Sequence, residues 1–567
     1  MLAADVHTSS QPGRVSLFRM PPVVDMRLSV PALALALVVA VVAPPAEADE
    51  LPPGGTFFDD DGNIHEGAIE AVAAAGITRG CGVADLYCPD DIVTRGQVAA
   101  FLVRAVDLPP SSDDIFVDDE TSIFEANIQA LAAAGITKGC GDGLFCPDRP
   151  VLRGELAAFL VRAFELPPSD DDVFVDIDGS IFETDIRALA AAGITFGCGD
   201  DRFCPYDPVR RDQMASFLAR ALGLQPIPVP PRPVRRLAFT GDTLIHTPVM
   251  AAAAVNGDVS GRPYDFFPMM APVAPIISGA DLAICHLEVP LSPTNTALSS
   301  YPLFNAPRDV ADGLAQTGFD GCSTASNHSI DQGVAGLVAT IGILEAAGLA
   351  HAGTASSEAG TQATTYDVGG VTVGHLSATW WLNGLREPSD KPWLVQDLDV
   401  DDLIAKAEAA KEAGADFVVV SVHCCVEYQT MPTSSQRDTD RRLIDSPAID
   451  LVVGHHAHVV QPIERRNDEF IVYGLGNFMS GQRRLAETTD GVIVIVEVTL
   501  RNDRWVTRQI RYVPTWEVGG SYRILPAAET IAAGAGSLEA TLRASWYRTV
   551  AAIDAYHPAG VSPVTRP

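Results

Sequence analysis

The segment VVGHHAHVVQPIE, residues 452–464, places three histidines within four positions, directly after an apolar β-branched run that ends at a glycine. Such a run predicts a buried strand, and the glycine predicts a turn at its end. His455, His456 and His458 would therefore leave the strand at one point. A lone buried histidine is usually a hydrogen-bonded core residue, so the interpretation depends on what else the chain brings to this place.

Four further apolar runs in residues 237–500 end in acidic, amide or imidazole side chains. These side chains are Asp242, Glu288, Asn327 with His328 and Asp331, and His423. The runs alternate with helical stretches, which predicts an α/β fold with buried strands, and catalytic groups in such folds gather at strand ends. Mixed imidazole and carboxylate ligands suit Mn, Fe or Zn, and a carboxylate between two ions is typical of two-metal sites. The sequence therefore predicts a centre for one or two divalent metal ions.

The order and spacing of these motifs resemble the CapA family of poly-γ-glutamate capsule-synthesis proteins, a branch of the calcineurin-like metallophosphoesterases. The matching motifs are GD (241–242), HLEVPL (286–291), SNHSIDQG (326–333), HCCVEY (423–428), Gln436, GHHAHVVQPIE (454–464) and YGLGNF (473–478). The resemblance implies a four-layer α/β sandwich of two sheets flanked by helices, as in metallophosphatases.

The resemblance also implies roles for individual residues. The expected metal ligands are Asp242, Glu288, Asn327, His423, His456 and His458. His455 could replace His456, because one extra residue leaves the register ambiguous. His328 would donate a proton to the leaving oxygen, and Asp331 would orient it.

Three departures from the family pattern bear on the chemistry. Leu244 stands where the wider superfamily has the histidine of Asp-x-His, so one metal position could be weak or empty. His286 replaces an asparagine and is either an added ligand or a simple substitution. Cys424 and Cys425 replace a Trp-Gly pair beside a proposed ligand. They could pair with Cys285 and Cys322, form a vicinal disulfide, or remain thiols that bind metal.

Residues 57–109, 116–167 and 174–224 are three copies of one pattern, at spacings of 59 and 58 residues. Each copy reads as a helix, a glycine stop, a loop and a second helix. The first apolar stripe of the second copy consists of Ile123, Ile128, Leu131 and Ala132, followed by Gly135. One such helix pair cannot cover its own apolar face, so we expect an all-α triple repeat whose copies pack on each other.

These copies resemble S-layer homology modules, through the Phe-x-Asp start, the AAGIT turn and the TRGQ start of the second helix. The resemblance implies docking onto cell-wall polysaccharide through Arg95, Arg153 and Arg211. An arginine fork at a helix N-terminus can bind an anionic sugar substituent. Pairing of each arginine with neighbouring acidic residues is the alternative.

Each copy carries two loop cysteines, namely Cys81 and Cys88, Cys140 and Cys146, and Cys198 and Cys204. In an exported chain these predict three local disulfides. A shared metal site is the alternative, but it lacks the C-x-x-C spacing typical of such sites.

Residues 26–48, MRLSVPALALALVVAVVAPPAEA, predict a secretory signal with an A-x-A cleavage site. A membrane anchor is the alternative, but about 16 apolar residues fall short of the ~20 that a span needs. We expect no transmembrane anchor after cleavage. The predicted domains are the signal peptide with an N-terminal extension (1–48), repeats at 49–110, 111–168 and 169–224, a proline-rich linker (225–236), the CapA-like domain (237–520), and a C-terminal helix with a loose tail (521–567).

The net charge of −33 argues against nucleic acid as a partner, because binding phosphates needs a basic face. Residues 49–224 contain 32 Asp and Glu against 12 Lys and Arg, a net of −20. Together these features predict an exported, cell-wall-attached protein with a metal-dependent phosphoesterase-type site that acts on an anionic polymer or a phosphoester. A non-hydrolytic role in polymer export or tethering and a structural S-layer role with an inactive second domain are the alternatives.

Overall fold

The computed structural model describes residues 51–566 except 52, 83 and 84. The predicted signal peptide lies outside the described residues. Within the described part of the chain, no helix is both long and apolar enough to cross a membrane.

The three repeats close into a ring of helices around one shared apolar core. Their helices are α1 (Glu66–Ala74), α2 (Arg95–Ala105), α3 (Glu125–Ala133), α4 (Arg153–Ala163), α5 (Glu183–Ala191) and α6 (Arg211–Ala221). The second helix of each repeat packs on the first helix of the next: α2 on α3, α4 on α5, and α6 back on α1. The prediction that the copies pack on each other is confirmed.

One residue of the predicted apolar stripe does not belong to it. Helix α3 begins at Glu125, so Ile123 lies in the preceding turn and is 89% exposed. Ile128 and Leu131, which are inside the helix, are fully buried. That part of the predicted stripe is wrong, because the helix begins two residues after Ile123.

The three repeat arginines lie inside the ring instead of facing outward from a helix terminus. Arg153 is 5% exposed, and Arg95 and Arg211 are 3% exposed. Arg153 Nε donates to the carbonyl oxygen of Phe203 in the next repeat at 2.8 Å, and its Nη2 donates to Gly197 O at 3.2 Å. Arg95 and Arg211 make the equivalent Nε contacts with the carbonyls of Phe145 and Tyr87. The structure therefore corrects the expectation of an open arginine fork, because these side chains join neighbouring repeats.

The second domain contains two large mixed sheets and a two-stranded ribbon. Its strands are β1 (Val234–Leu244), β2 (Leu282–Leu287), β3 (Leu291–Ser292), β4 (Ala306–Pro307), β5 (Gly321–Ser323), β6 (Ala350–Ala352), β7 (Thr364–Asp367), β8 (Thr372–Thr379), β9 (Phe417–His423), β10 (Leu451–His455), β11 (Ile463–Arg466), β12 (Glu469–Val472), β13 (Asn477–Ser480), β14 (Asp490–Arg501), β15 (Arg504–Glu517), β16 (Ile524–Pro526) and β17 (Val561–Pro563). Its helices are α7 (Thr247–Ser260), α8 (Phe267–Met270), α9 (Ala274–Ile277), α10 (Asp309–Thr317), α11 (Gly333–Ala346), α12 (Val400–Glu412), α13 (Ser434–Ile444), α14 (Ala527–Ala532) and α15 (Glu539–Ile553).

The first sheet has the order β16-β15-β14-β1-β2-β5-β6, with β13 also pairing with β1 and β17 with β15. The second sheet has the order β11-β12-β10-β9-β8-β7. Apolar side chains of both sheets, such as Phe239 from β1 and Val419 from β9, form one core between them. The outer face of the first sheet packs on α7, α8, α10 and α11, and that of the second on α12 and α13. The predicted four-layer α/β sandwich is confirmed.

The C-terminal segment is part of this sandwich. Strand β17 pairs in parallel with β15, and α15 packs on β14 and β15. The C-terminal helix predicted within residues 521–567 corresponds to α15, but the tail predicted to be loose contributes a strand to the first sheet.

All ten cysteines are paired. The three predicted loop disulfides, Cys81–Cys88, Cys140–Cys146 and Cys198–Cys204, are present. Cys285 in β2 is bonded to Cys322 in β5, and Cys424 is bonded to Cys425 directly after β9. The structure thus chooses the vicinal disulfide among the alternatives that the sequence left open.

We expect Arg153→Met to destabilise the repeat ring by about 2–4 kcal/mol, because the carbonyls of Phe203 and Gly197 lose their charged donor inside the core. The measurement is the first unfolding transition of the whole protein in scanning calorimetry. The matched control is Arg187→Met in the third repeat, where the ion pairs of Arg187 with Glu183 and Asp172 lie near the surface and should contribute less than about 1 kcal/mol. Equal destabilisation by the two substitutions would contradict the packing role.

We expect Asp440→Asn to stabilise the second domain at alkaline pH but not at acidic pH. Asp440 in α13 is fully buried with neither carboxylate oxygen hydrogen bonded among the described residues, and burial, aided by the charge of Glu464, raises its pKa to about 8. Because the folded pKa exceeds the unfolded value, the aspartate's contribution is intact below about pH 4 and is lost as the pH rises toward 8. The urea midpoint of the variant should therefore exceed that of the parent by a margin that grows from pH 5 to pH 8. A constant margin would contradict this account.

Candidate metal centre

Four strand ends from the two sheets meet at one edge of the sandwich. Asp242 lies near the end of β1, directly opposite His286 near the end of β2. His423 ends β9 and His455 ends β10, and these two residues are opposite each other in the second sheet. Because β1 and β2 run parallel to each other, as do β9 and β10, their carboxyl ends deliver polar side chains to the same place.

Two loops complete the cluster. Asn327 and His328 follow β5, and the Asn327 Oδ1 lies 3.1 Å from Nε2 of His423. His456 and His458 follow β10 with backbone φ angles of 80° and 55°. This left-handed backbone is unusual for residues other than glycine and marks a constrained turn that directs both imidazoles inward.

Asp242 is surrounded by the three histidines at and directly after the end of β10. Its Oδ2 lies 2.9 Å from His458 Nδ1, and its Oδ1 lies 3.4 Å from His455 Nδ1. The backbone N–H of His456 donates to Oδ2 at 3.2 Å. Burial would raise the pKa of Asp242, but the adjacent imidazoles of His455 and His458 outweigh it and hold the pKa well below its usual value. Asp242 is therefore a carboxylate.

Glu288 is the most informative residue of the cluster. It is 1% exposed, and neither of its carboxylate oxygens has a hydrogen-bond partner in the described chain. Its Oε1 lies 3.9 Å from Nε2 of both His423 and His458. Burial raises its pKa to about 7. A buried carboxyl group without donors is costly unless a cation lies against it, so the site fits a metal ion.

The potential ligands form two compact groups, each with ligand atoms within 4.8 Å of one another. The first group is Asp242, His286 and His423, and the second is Glu288, His456 and His458. The Nδ1 atoms of His455 and His456 also lack hydrogen-bond partners among the described residues. Nitrogen and oxygen donors without thiolates fit Mn, Fe or Zn.

The electrostatics of the histidines differ within the cluster. Burial lowers the pKa of His286 and His423 well below the usual value, and it lowers that of His456 to about 4. Burial also opposes protonation of His458, but the charges of Glu288 and Asp242 outweigh it and raise its pKa. Neutral imidazoles are the form that ligates metals, so most of the cluster is ready to bind.

The proposed catalytic pair lies beside these groups. His328 Nδ1 is 2.7 Å from Asp331 Oδ2, and Asp331 also accepts the backbone N–H of Phe304 at 2.7 Å. The Phe304 ring meets the His328 ring edge to face, with centroids 4.7 Å apart. The orientation of His328 is therefore fixed by a carboxylate and by an aromatic wall.

Two residues in contact with the candidate site had no role in the sequence prediction. Asn383, in the loop after β8, places its amide nitrogen 3.4 Å from the ring nitrogens of His328 and accepts a hydrogen bond from Asn327 at 3.3 Å. Glu427 lies 3.7 Å from His458 Nε2. Asn383 carries no strand-end signal, whereas Glu427 stands inside the HCCVEY motif.

His286, which the sequence left open as a ligand or a substitution, is inside the cluster. Its Nδ1 lies 2.8 Å from Ser323 Oγ and its Nε2 lies 2.9 Å from His423 Nδ1. Its ring stacks on that of His455, with centroids 4.0 Å apart. Leu244, by contrast, is a buried core residue in the apolar cluster on the outer face of the first sheet.

The two parts of the chain match two different protein families. Residues 236–482 match the family described as bacterial capsule synthesis protein PGA_cap, and residues 117–157 and 173–215 match the S-layer homology domain. The PGA biosynthesis protein CapA of Bacillus subtilis is 35% identical over 172 residues, covering 30% of this chain and 44% of that protein. The capsule biosynthesis protein CapA of Bacillus anthracis is 31% identical over 183 residues, covering 31% and 44%. The chain thus spans less than half the length of these relatives.

Among solved structures, the calcineurin-like phosphoesterase YfkN of Bacillus subtilis aligns with 56% of this chain and 97% of its own, at 13% identity and a TM-score of 0.29. A score this low carries no functional argument. The sandwich and its ligand cluster define an α/β domain of two sheets with a candidate metal centre. More specifically, residues 236–482 of that domain resemble the PGA_cap family, and they follow segments that resemble S-layer homology domains.

We expect Asp242→Asn to lower the metal content of the protein by about half or more, because one carboxylate ligand of the first group becomes a neutral amide. The measurement is plasma mass spectrometry after dialysis against Mn²⁺ or Zn²⁺. Asp445→Asn is the matched control, since this surface aspartate of the same domain pairs only with Arg466 and Asn467. Unchanged metal content in the Asp242 variant would contradict the ligand assignment.

Proposed function

We propose that this protein is an exported, wall-attached accessory protein of capsule or poly-γ-glutamate synthesis that hydrolyses a phosphoester at the metal centre. The observation that carries the proposal is the pair of buried ligand groups with His328 directly beside them. This combination is typical of metal-dependent phosphoester hydrolysis.

Divalent ions in such a site supply Lewis-acid activation of the phosphoryl group. The protein's own residues have separate tasks. Asp242, Glu288 and the cluster histidines would hold the ions, and Asn327 would add an amide oxygen. The apolar core between the two sheets excludes water from the side of the site that faces the interior of the sandwich.

His328 would deliver the proton that the leaving oxygen needs. Its Nδ1 is held by Asp331, which leaves Nε2 as the atom that holds and transfers the proton. Asp331 also fixes the orientation of the imidazole ring, and Asn383 limits its rotation. A positioned acid of this kind contributes about 10²–10⁴ in rate.

The S-layer homology modules support a location at the cell surface. Modules of this class bind cell-wall polymers, and the acidic excess of residues 49–224 suits an exterior rich in cations. Because the three repeat arginines are buried, we propose that the polymer contacts the ring through other residues, in the grooves between neighbouring repeats.

We expect His328→Asn to lower kcat about 10²-fold or more for a phosphoester with a poor leaving group, and far less for p-nitrophenyl phosphate, whose leaving group needs no proton. The assay uses Mn²⁺-loaded protein and follows phosphate release. Metal content should stay unchanged, because His328 is placed as an acid and not as a ligand. Equal losses on both substrates, or full activity on both, would contradict the assigned role.

A second candidate is a non-hydrolytic role in binding or exporting an anionic polymer. It is favoured by Leu244, which removes a ligand of the wider superfamily, and by the names of the CapA relatives. Bound ions would then bridge polymer carboxylates. Retention of the protein by immobilised poly-γ-glutamate in Mn²⁺, reversed by chelation and absent in Glu288→Gln, would support it, provided that no phosphoester is cleaved.

A further inference from the structure

The first repeat contains a second cluster of acidic side chains, far in sequence from the metal centre. Asp60 and Asp61 precede helix α1, and Glu66 is its first residue. One carboxylate oxygen from each of these three residues lies within 4.8 Å of the others. Acidic clusters are common on protein surfaces, so the cluster alone does not indicate a ligand.

The state of Asp60 sets this cluster apart. Its side chain is 0% exposed, and neither carboxylate oxygen has a hydrogen-bond partner among the described residues. Burial and the charges of Glu70 and Glu66 raise its pKa to about 8. A buried carboxyl group that faces other carboxylates and no donor lacks the positive partner that such a group requires.

At the position equivalent to Asp60, the other two repeats have no unpartnered, fully buried carboxyl group. In the second repeat the equivalent Asp119 accepts a hydrogen bond from the Gln129 amide at 3.0 Å. In the third repeat the position is occupied by Ile177, which is fully buried. The first repeat has Glu70 where the second has Gln129, so it adds a negative charge where its neighbour supplies a donor.

Glu70 itself is already satisfied. Its oxygens accept the backbone N–H of Thr56 at 2.7 Å and the Thr56 hydroxyl at 2.6 Å. The only basic side chain paired with the cluster in the described chain is Arg232, which contacts Asp61 at 3.0 Å. One guanidinium on Asp61 leaves the charges of Glu66 and Asp60 without a counterpart.

We propose that Asp60, Asp61 and Glu66 bind a divalent cation, and that this cation is Ca²⁺. All the available ligands are carboxylate oxygens, which suit a hard cation, and the set lacks the imidazoles that would favour Zn or Mn. Glu70 contributes negative charge behind the ion. This site is separate from the metal centre of the second domain and does not depend on the function proposed there.

The cation would act at the junction between the repeats and the second domain. Arg232, which holds Asp61, also donates to the carbonyl oxygens of Gly54 and Phe57 in the first repeat and of Leu500 in β14. Ordering of Asp61 by the ion would therefore also order the arginine that connects the first repeat to the sandwich.

The test is calorimetric titration of Ca²⁺ into the whole protein after the other centre has been saturated with Mn²⁺. The parent should bind one Ca²⁺ per chain. Asp60→Ile, which copies the third repeat, should abolish that binding, and Glu66→Gln should weaken it about tenfold or more. The matched control is Asp119→Asn in the second repeat, which should bind Ca²⁺ like the parent.

Circular dichroism and thermal melting establish whether each variant is folded. If Asp60→Ile does not fold, Glu66→Gln still decides the test. Absence of Ca²⁺ binding by the parent would overturn the proposal. Binding by both Asp60→Ile and Glu66→Gln that equals that of the parent would overturn it as well, because the ion would then lie elsewhere.

Discussion

Asp242 and Glu288 are carboxyl groups buried at the end of a sheet, and the placement of positive charge against them is the constraint on which the site depends. Asp242 meets this need partly through His455 and His458. Glu288 has no donor in the described chain, so its burial requires a cation or a proton. The imidazoles of the cluster, the amide of Asn327 and the strand ends of the second sheet lie around these two carboxyl groups.

The sandwich makes this arrangement possible because two sheets pack face to face with the carboxyl ends of several strands at one edge. Strand β1 and the residue directly after β2 supply one carboxylate each, and β9 and β10 supply imidazoles from the opposite sheet. The apolar core between the sheets holds these ends at fixed separation. Side chains more than two hundred positions apart can thus contact one another.

The sequence was sufficient to predict the strand ends, since each apolar run and its terminal polar residue are local signals. It could not decide the role of His286, because whether that ring faces the cluster depends on the register between β1 and β2. Asn383 was missed for a related reason, as its contact with His328 joins a loop to a different sheet. The burial of the three repeat arginines could not be predicted from the sequence of one repeat. Each guanidinium is covered by the next repeat, whose position depends on the packing of the ring.

Crystallography with anomalous scattering, on crystals of the whole protein grown with Mn²⁺, tests the central claim most directly. The account predicts anomalous peaks within bonding distance of Glu288 and of Asp242, each also contacted by cluster histidines. A structure in which no peak lies at this edge of the sandwich, and in which both oxygens of Glu288 are hydrogen bonded to protein donors, would contradict it.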